Sequence, residues 1–378
     1  MERKKGNIDW MMLLGILLMP FIIQQLDFVK IKALKGYIRE EKDSALNVNN
    51  WFSGKYQEQH EKYVQSHLKI RPFLVKLNNQ IKFLIQKDIS AANVVIGKQG
   101  YFYERHYIWT HFGLDFSGED VIHEKVLHAK RVVDSLEKNG VRFLLVLAPG
   151  KAEVLPEYIP EDQMVEKRNP SNYEVYSSYF QHSGIHWIDF NSYFKRLKDT
   201  ISYPLYSKGG THWSIYGSYI AIDTMVAYIE YLLKKDLPDY QYPVYDITRK
   251  PRGTDKDIAN ACNLLWYHFD ENLYYPYLQI KNNRQGYKPK VIIVGDSYYW
   301  TIVNNGVQKV LFDSFYFWYY FKENHSNNPK MPKEVDRIIN LRNFIKNQDI
   351  ILFVITDGNL REFSWNFFET LEKLYGIN

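Results

Sequence analysis

One cysteine, Cys262, is the whole thiol content of this 378-residue chain. A lone thiol excludes an internal disulfide framework and a multi-thiolate metal site, while leaving an oxidising compartment open. A strong charge of one sign is also missing: the formal net charge is only +5, and the basic residues are scattered. No basic block, zinc-finger spacing or basic–aromatic stacking motif occurs, so a nucleic-acid partner is not expected. The glycines form neither a Walker loop nor a dinucleotide fingerprint, and no cofactor is expected. Histidine spacing argues against a metal. His106/His111 and His123/His128 are five apart, and His182 and His186 stand around Gly184 and a strand. Internal repeats and low-complexity tracts are also missing.

Long apolar runs are equally scarce. Arg3, Lys4 and Lys5 precede an apolar stretch from Trp10 to Ile23, which Gln24, Gln25 and Asp27 interrupt. That length suits a signal-peptide core, yet no small-residue cleavage site and no lipobox cysteine follows. Continuing through Leu26, Phe28 and Val29 brings the run to about 20 residues, enough to cross a bilayer. Residues 1–33 are therefore expected to form an uncleaved signal anchor, a single transmembrane helix whose cationic start lies in the cytoplasm. A cleaved signal peptide and a buried core helix are the alternatives.

What the chain has in quantity is aromatic: 16% of residues, with 31 tyrosines and 9 tryptophans. Such side chains pair a flat apolar face with a polar tip, which suits both a packed core and a cleft for sugar rings. Hydrophobic residues at 46% and charged residues at 24% are ordinary for a globular protein.

Residues 34–90 read as a juxtamembrane helical segment. Tyr63, Val64, Leu68, Phe73, Leu74, Leu77 and Ile81 recur near helical spacing, with a break before Pro72. From residue 91 to 378 strands and helices alternate. "NVVIGKQGYFYE" predicts a strand, a turn and a second strand; "VRFLLVLAPG", "GIHWIDF", "KVIIVGDS", "KVLFDSFYF" and "DIILFVITDGN" predict further strands. "VIHEKVLHAKRVVDSLEKNG", "WSIYGSYIAIDTMVAYIEYLLKK" and "KEVDRIINLRNFIKNQ" predict helices, the last with Val335, Ile338, Ile339 and Phe344 on one face. Alternation of this kind implies an α/β layered domain with a mainly parallel sheet.

Two stretches carry chemistry. The strand ending in Gly295, Asp296 and Ser297 puts a hydroxyl at the carboxyl edge of the sheet, where open α/β sheets bind ligands. Ser297 is either a nucleophile or the N-cap of the following helix. In "KGGTHWSIYG", His212 has the side chain suited to a general base near neutrality; a loop histidine bonded to backbone is the alternative. At the end of the last strand, "ITDGN" offers Asn359 either as an oxyanion donor or as part of an Asp-Gly turn.

"VVIGKQGYFYE", "VLAPGKAEVLPEYIP", "GGTHWSIYG" and "VIIVGDSYYW" occur in that order behind the apolar start. The set resembles the SGNH-hydrolase-like acetyltransferases that O-acetylate exported polysaccharides, the alginate O-acetyltransferase group, from about residue 45 onward. The resemblance implies an SGNH-like three-layer fold and an acetyl-serine on Ser297 with His212 as base. It implies an acetyl donor in a membrane-bound O-acyltransferase, a polysaccharide acceptor, and a catalytic domain on the periplasmic side of a bacterial inner membrane. Trp213, Tyr298, Tyr101 and Lys151 stand in the matching stretches and are candidate substrate contacts. Where the family usually has Asp-x-His-Trp, with the aspartate orienting the histidine, this chain has Gly210. His212 is then held by a backbone carbonyl, or by a carboxylate from elsewhere such as Asp189, or the protein binds glycan without catalysing. An esterase of the same fold is a further alternative.

Overall fold

Along the strands of the central sheet, successive side chains enter different cores. Leu144, Val146 and Ala148 of β3 (Arg142–Ala148) pack on one side, whereas Phe143, Leu145 and Leu147 pack on the other. In β10 (Ile350–Thr356) Ile350, Leu352 and Val354 alternate with Ile351, Phe353 and Ile355 in the same way. A strand covered on both faces needs apolar residues at every position, so these segments read as unbroken runs. The structure is a computed structural model describing residues 2–26, 30–36, 41–86, 89, 93–268, 270–281 and 286–377.

The chain divides into two compact units: residues 1–92 with 259–268, and residues 93–258 with 269–378. The second unit carries a six-stranded sheet in the order β4 (Trp187–Asp189), β3, β10, β7 (Lys290–Gly295), β8 (Ser314–Tyr319), β9 (Glu323–Ser326). Its first five strands are parallel, and β9 runs antiparallel to β8. The helices Ile215–Leu233 and Tyr299–Asn305 belong to the first core, while Glu119–Lys138, Asn172–Ser183 and Phe367–Tyr375 belong to the second. This is the expected α/β three-layer arrangement. Two short antiparallel ribbons add to it. β1 (Val94–Ile96) pairs with β2 (Phe102–Glu104), and β5 (Tyr240–Thr248) pairs with β6 (Leu273–Ile280).

Two segments differ from expectation. "KEVDRIINLRNFIKNQ" is not one helix: Asn340 adopts φ 54, and only Leu341–Lys346 is α-helical, leaving Ile339 exposed at 92%. Asparagine tolerates the left-handed region better than other side chains and here caps the following turn, accepting from the Asn343 N–H. In "KVLFDSFYF" the first residues finish the helix Val307–Leu311, and the strand begins at Ser314.

The amino-terminal unit contains the helices Glu2–Gln25, Lys55–His67 and Arg71–Gln86, the last two separated around Leu68 just before Pro72. Asn79 and Gln80 of the third helix are buried; Asn79 donates to the Cys262 carbonyl at 2.9 Å, and Gln80 accepts from the Trp266 N–H at 3.1 Å. Among the described residues no helix is long and apolar enough to cross a membrane. From Trp10 to Ile23 the helix rises about 21 Å, short of the roughly 30 Å hydrocarbon core. The extension through Phe28 and Val29 falls outside the described residues.

Candidate active site

Ser297 lies two residues beyond the end of β7 and is partly exposed, between the buried Asp296 and the buried Tyr298. The turn is built on Asp296. Its carboxylate accepts from the Tyr298 N–H at 3.0 Å, from the Thr356 N–H and hydroxyl at 2.8 Å each, and from the Asn359 amide at 2.8 Å. A fully buried carboxylate demands such compensation, and meeting it ties the end of β7 to the end of β10. The helix Tyr299–Asn305 starts after Tyr298 with no side-chain cap, so the Ser297 hydroxyl is not occupied as a cap.

That hydroxyl donates instead to Nε2 of His212 at 2.9 Å. On the other side of the ring, Nδ1 donates to Oδ2 of Asp257 at 2.5 Å. A carboxylate can only accept, so Asp257 assigns the proton to Nδ1 and leaves the Nε2 lone pair facing the serine. Burial pulls the His212 imidazole toward its neutral form; the hydrogen bond and charge of Asp257, helped by Glu104 and Asp296, outweigh it and hold the group above its ordinary value. Oδ1 of Asp257 accepts from the Thr211 N–H at 2.8 Å, so one carboxylate grips both the histidine and the backbone before it.

Two further bonds lock the histidine loop onto the serine turn. Trp213 donates its indole N–H to the Tyr298 carbonyl at 3.2 Å, and the Tyr298 hydroxyl donates to the Thr211 carbonyl at 3.1 Å. Three consecutive residues of one loop thus meet two consecutive residues of the other.

Asp257 is the residue that sequence reasoning missed. It opens the short helix Asp257–Ala261 after the turn Gly253–Lys256, and nothing in "GTDKDIAN" distinguishes it from neighbouring acids. The signal was indirect. A Cβ at Gly210 would lie 2.5 Å from the Thr254 carbonyl oxygen and 2.7 Å from the Ser207 hydroxyl. The turn that delivers Asp257 occupies the space a side chain at 210 would need. An absent aspartate and a relocated one are the same event in packing terms.

The other expected residues fall elsewhere. Asp189 is not the carboxylate behind His212: it accepts from the Tyr173 hydroxyl at 3.0 Å and caps the helix Phe190–Leu197 through the Ser192 N–H. Asn359 stands beside the serine turn, where its amide donates to Asp296 at 2.8 Å and, at 3.1 Å, to the Thr356 hydroxyl. Among the described residues the Ser297 N–H donates to no protein acceptor. Trp213 and Tyr298 are both 0% exposed and act as braces, without a face for substrate. Lys151 is buried as well. It donates to the carbonyls of Phe102 at 2.9 Å and Lys208 at 3.3 Å, and burial lowers its ammonium to about 8. Tyr101 stacks on Tyr158 at 4.2 Å and lines a cavity of about 240 Å³ with Leu155, Lys198 and Tyr206, which neither Ser297 nor His212 lines.

The chain has relatives. The family model described as "SGNH hydrolase-like domain, acetyltransferase AlgX" matches residues 94–301, more than half of the chain. No curated protein matches in sequence. Among solved structures, the O-acetyltransferase domain of Pseudomonas putida AlgJ is 15% identical, covering 75% of this chain and 99% of that one at a TM-score of 0.48. Pseudomonas aeruginosa AlgX is 14% identical, with 76% and 69% covered and a TM-score of 0.41. Bacillus cereus PatB1 is 13% identical, with 64% and 91% covered and a TM-score of 0.39. With a serine turn, a histidine loop and the family match running through both, the chain belongs to the SGNH hydrolase-like domains of the AlgX acetyltransferase family.

Proposed function

We propose that this protein transfers an acetyl or similar short acyl group onto hydroxyls of an exported polysaccharide through an acyl-Ser297 intermediate. One observation carries the reading: Ser297 Oγ, His212 and Asp257 stand in a continuous hydrogen-bonded line, at 2.9 and 2.5 Å. As Oγ attacks the donor's acyl carbonyl, its proton passes to Nε2 of His212 and then to the departing donor group. Acyl-Ser297 remains. The acceptor hydroxyl next gives its proton to Nε2 while its oxygen attacks the acyl carbon, and the returning proton restores Ser297. Asp257 holds the ring in the required tautomer and stabilises the imidazolium. The Ser297 N–H serves the oxyanion.

Membership of an acetyltransferase family supports this reading over a non-catalytic one, and Asp257 supplies the carboxylate whose absence at 210 had motivated the latter. By the family resemblance, the acyl donor is a membrane-bound O-acyltransferase and the catalytic unit works outside the cytoplasm. Incubation with an activated acetyl ester should add one acetyl mass to the Ser297 peptide, and Ser297→Ala should abolish it. A folded wild-type protein that never acquires the adduct sinks the proposal. An esterase of this fold would release acetate at an undiminished rate when glycan acceptor is added; a transferase would divert it into the glycan.

A further inference from the structure

Away from Ser297, the ribbon of β5 and β6 and the helix Ile215–Leu233 enclose a cavity of about 440 Å³, within the range of ligand sites. Its lining is tyrosine. Tyr274 of β6 is stacked between Tyr203 at 4.8 Å and Tyr245 at 4.9 Å, and Tyr216 meets it edge-on at 5.4 Å. Among the described residues, no protein group hydrogen-bonds the hydroxyls of these four rings, and Tyr245 is 53% exposed. Tyr240 and Tyr242 differ: both donate to Oδ1 of Asp223, at 2.7 and 2.6 Å. Among the described residues, Asp223 is the one charged side chain lining the cavity.

From this we infer a binding groove for an uncharged stretch of polysaccharide, the acceptor chain of the transfer proposed above, on which reading its purpose rests. A pyranose ring has an apolar C–H face edged by hydroxyls. The stack presents the complement: flat apolar surface on the outward faces of its outer rings, Tyr203 and Tyr245, and free hydroxyls along its edge, with Tyr274 holding the two apart. A lone carboxylate with no lining cation repels a polyuronate and leaves a neutral chain acceptable.

The groove is joined to the catalytic line through its own framework. Along β6 the side chains alternate, so Tyr274 faces the groove while the next residue, Tyr275, is buried. The Tyr275 hydroxyl accepts from the Arg252 N–H at 2.9 Å, at the start of the turn that carries Asp257. Tyr216 follows His212 by four residues, which limits their separation to about 14 Å.

The test uses the full chain in native affinity electrophoresis, through gels containing hydroxyethylcellulose, dextran, a neutral galactan or a polyuronate. At least one neutral polymer should retard migration, the polyuronate should not, and Ser297→Ala should be retarded like wild type. Tyr274→Ala should weaken the association about tenfold. Tyr216→Phe and Tyr274→Phe, which remove only hydroxyls, should each weaken it about threefold and serve if the alanine variant does not fold. Retardation by no neutral polymer, equal or stronger retardation by the polyuronate, or undiminished binding by the folded tyrosine variants overturns the inference. So does a dimer in sedimentation that these variants abolish, which would make the groove an interface between copies. Acetyl-Ser297 formation on wild-type protein is read separately, so that failure of the chemistry is distinguishable from failure of the groove.

Discussion

Around Ser297 the polar tips of the aromatic rings point at protein atoms: Trp213 at the Tyr298 carbonyl, Tyr298 at Thr211, Tyr206 at Pro149. Along the β6 groove the hydroxyls of Tyr203, Tyr216, Tyr245 and Tyr274 point at none among the described residues. Both sets are aromatic, and only Trp213 and Tyr298, in the first, were expected to touch substrate. Burial separates them. A buried phenol or indole that left its donor unpaired would cost about 1–3 kcal/mol, so in the core these tips become girders between loops. Half-exposed rings have water for a partner, and that water is exchangeable for a ligand.

The sharpest way to break the comparison is at the buried end. Asp257→Asn preserves shape but loses the tautomer assignment, and the acyl-transfer rate should fall roughly ten-thousandfold, measured by acetyl release or transfer at saturating donor. A fall below tenfold would mean that Asp257 is not the orienting group. Next, Gly210→Ala must push the Asp257-bearing turn by displacing the Thr254 carbonyl, 2.5 Å from the new Cβ. The rate should drop about a hundredfold, because a misplacement near 1 Å has that consequence. Melting temperature should fall with it, since overpacking costs about 1–3 kcal/mol. Restoring the family's aspartate by Gly210→Asp should be worse than alanine, not a rescue.

Trp213→Phe tests the brace. It leaves the Tyr298 carbonyl with only the Thr301 N–H, at 3.3 Å, and opens space beside the smaller ring, costing about 1–3 kcal/mol in denaturant unfolding, whereas Tyr216→Phe in the groove should stay within about 0.5 kcal/mol of wild type. Equal effects would erase the distinction between the two sets.

The smallest effect is one of pH. His212 must be neutral to accept the serine proton, and Asp257 holds its value above the ordinary one against the opposing pull of burial. The rate should therefore rise with pH through an inflection above about 6.5. In Asp257→Asn the opposing burial remains and the raising partner is gone, so the residual activity should inflect at lower pH. A profile that moves upward in that variant contradicts the assignment.

Parts of the molecule were legible in the sequence because a single local rule applied to them. The unbroken runs of β3, β7 and β10 announce strands covered on both faces, and Gly140 ends the helix Glu119–Lys138 with φ +84 as expected. Other parts obey rules that compete. The stretch around Asn340 has helical spacing, yet one left-handed residue interrupts it. The β5–β6 ribbon contains Pro243 and Pro276, which conceal a strand pattern, and its pairing slips between Gln241 and Val244. The apolar amino-terminal run looked extensible to a span, and its helix stops at Gln25.

By itself the sequence determined which groups could do chemistry: a serine at the end of an apolar strand, a histidine in a glycine-bearing loop, and a vacancy at 210 where a carboxylate is usual. Those are properties of residue type and local spacing. Only the tertiary structure decided that the serine and histidine meet across 85 positions, and that Asp257, 45 positions beyond the histidine, fills the missing role. It also decided which tyrosines are walls and which are open surface. Residue type sets what a side chain can donate or accept, but which partner it finds, and whether water reaches it, depends on packing between segments that no local pattern encodes.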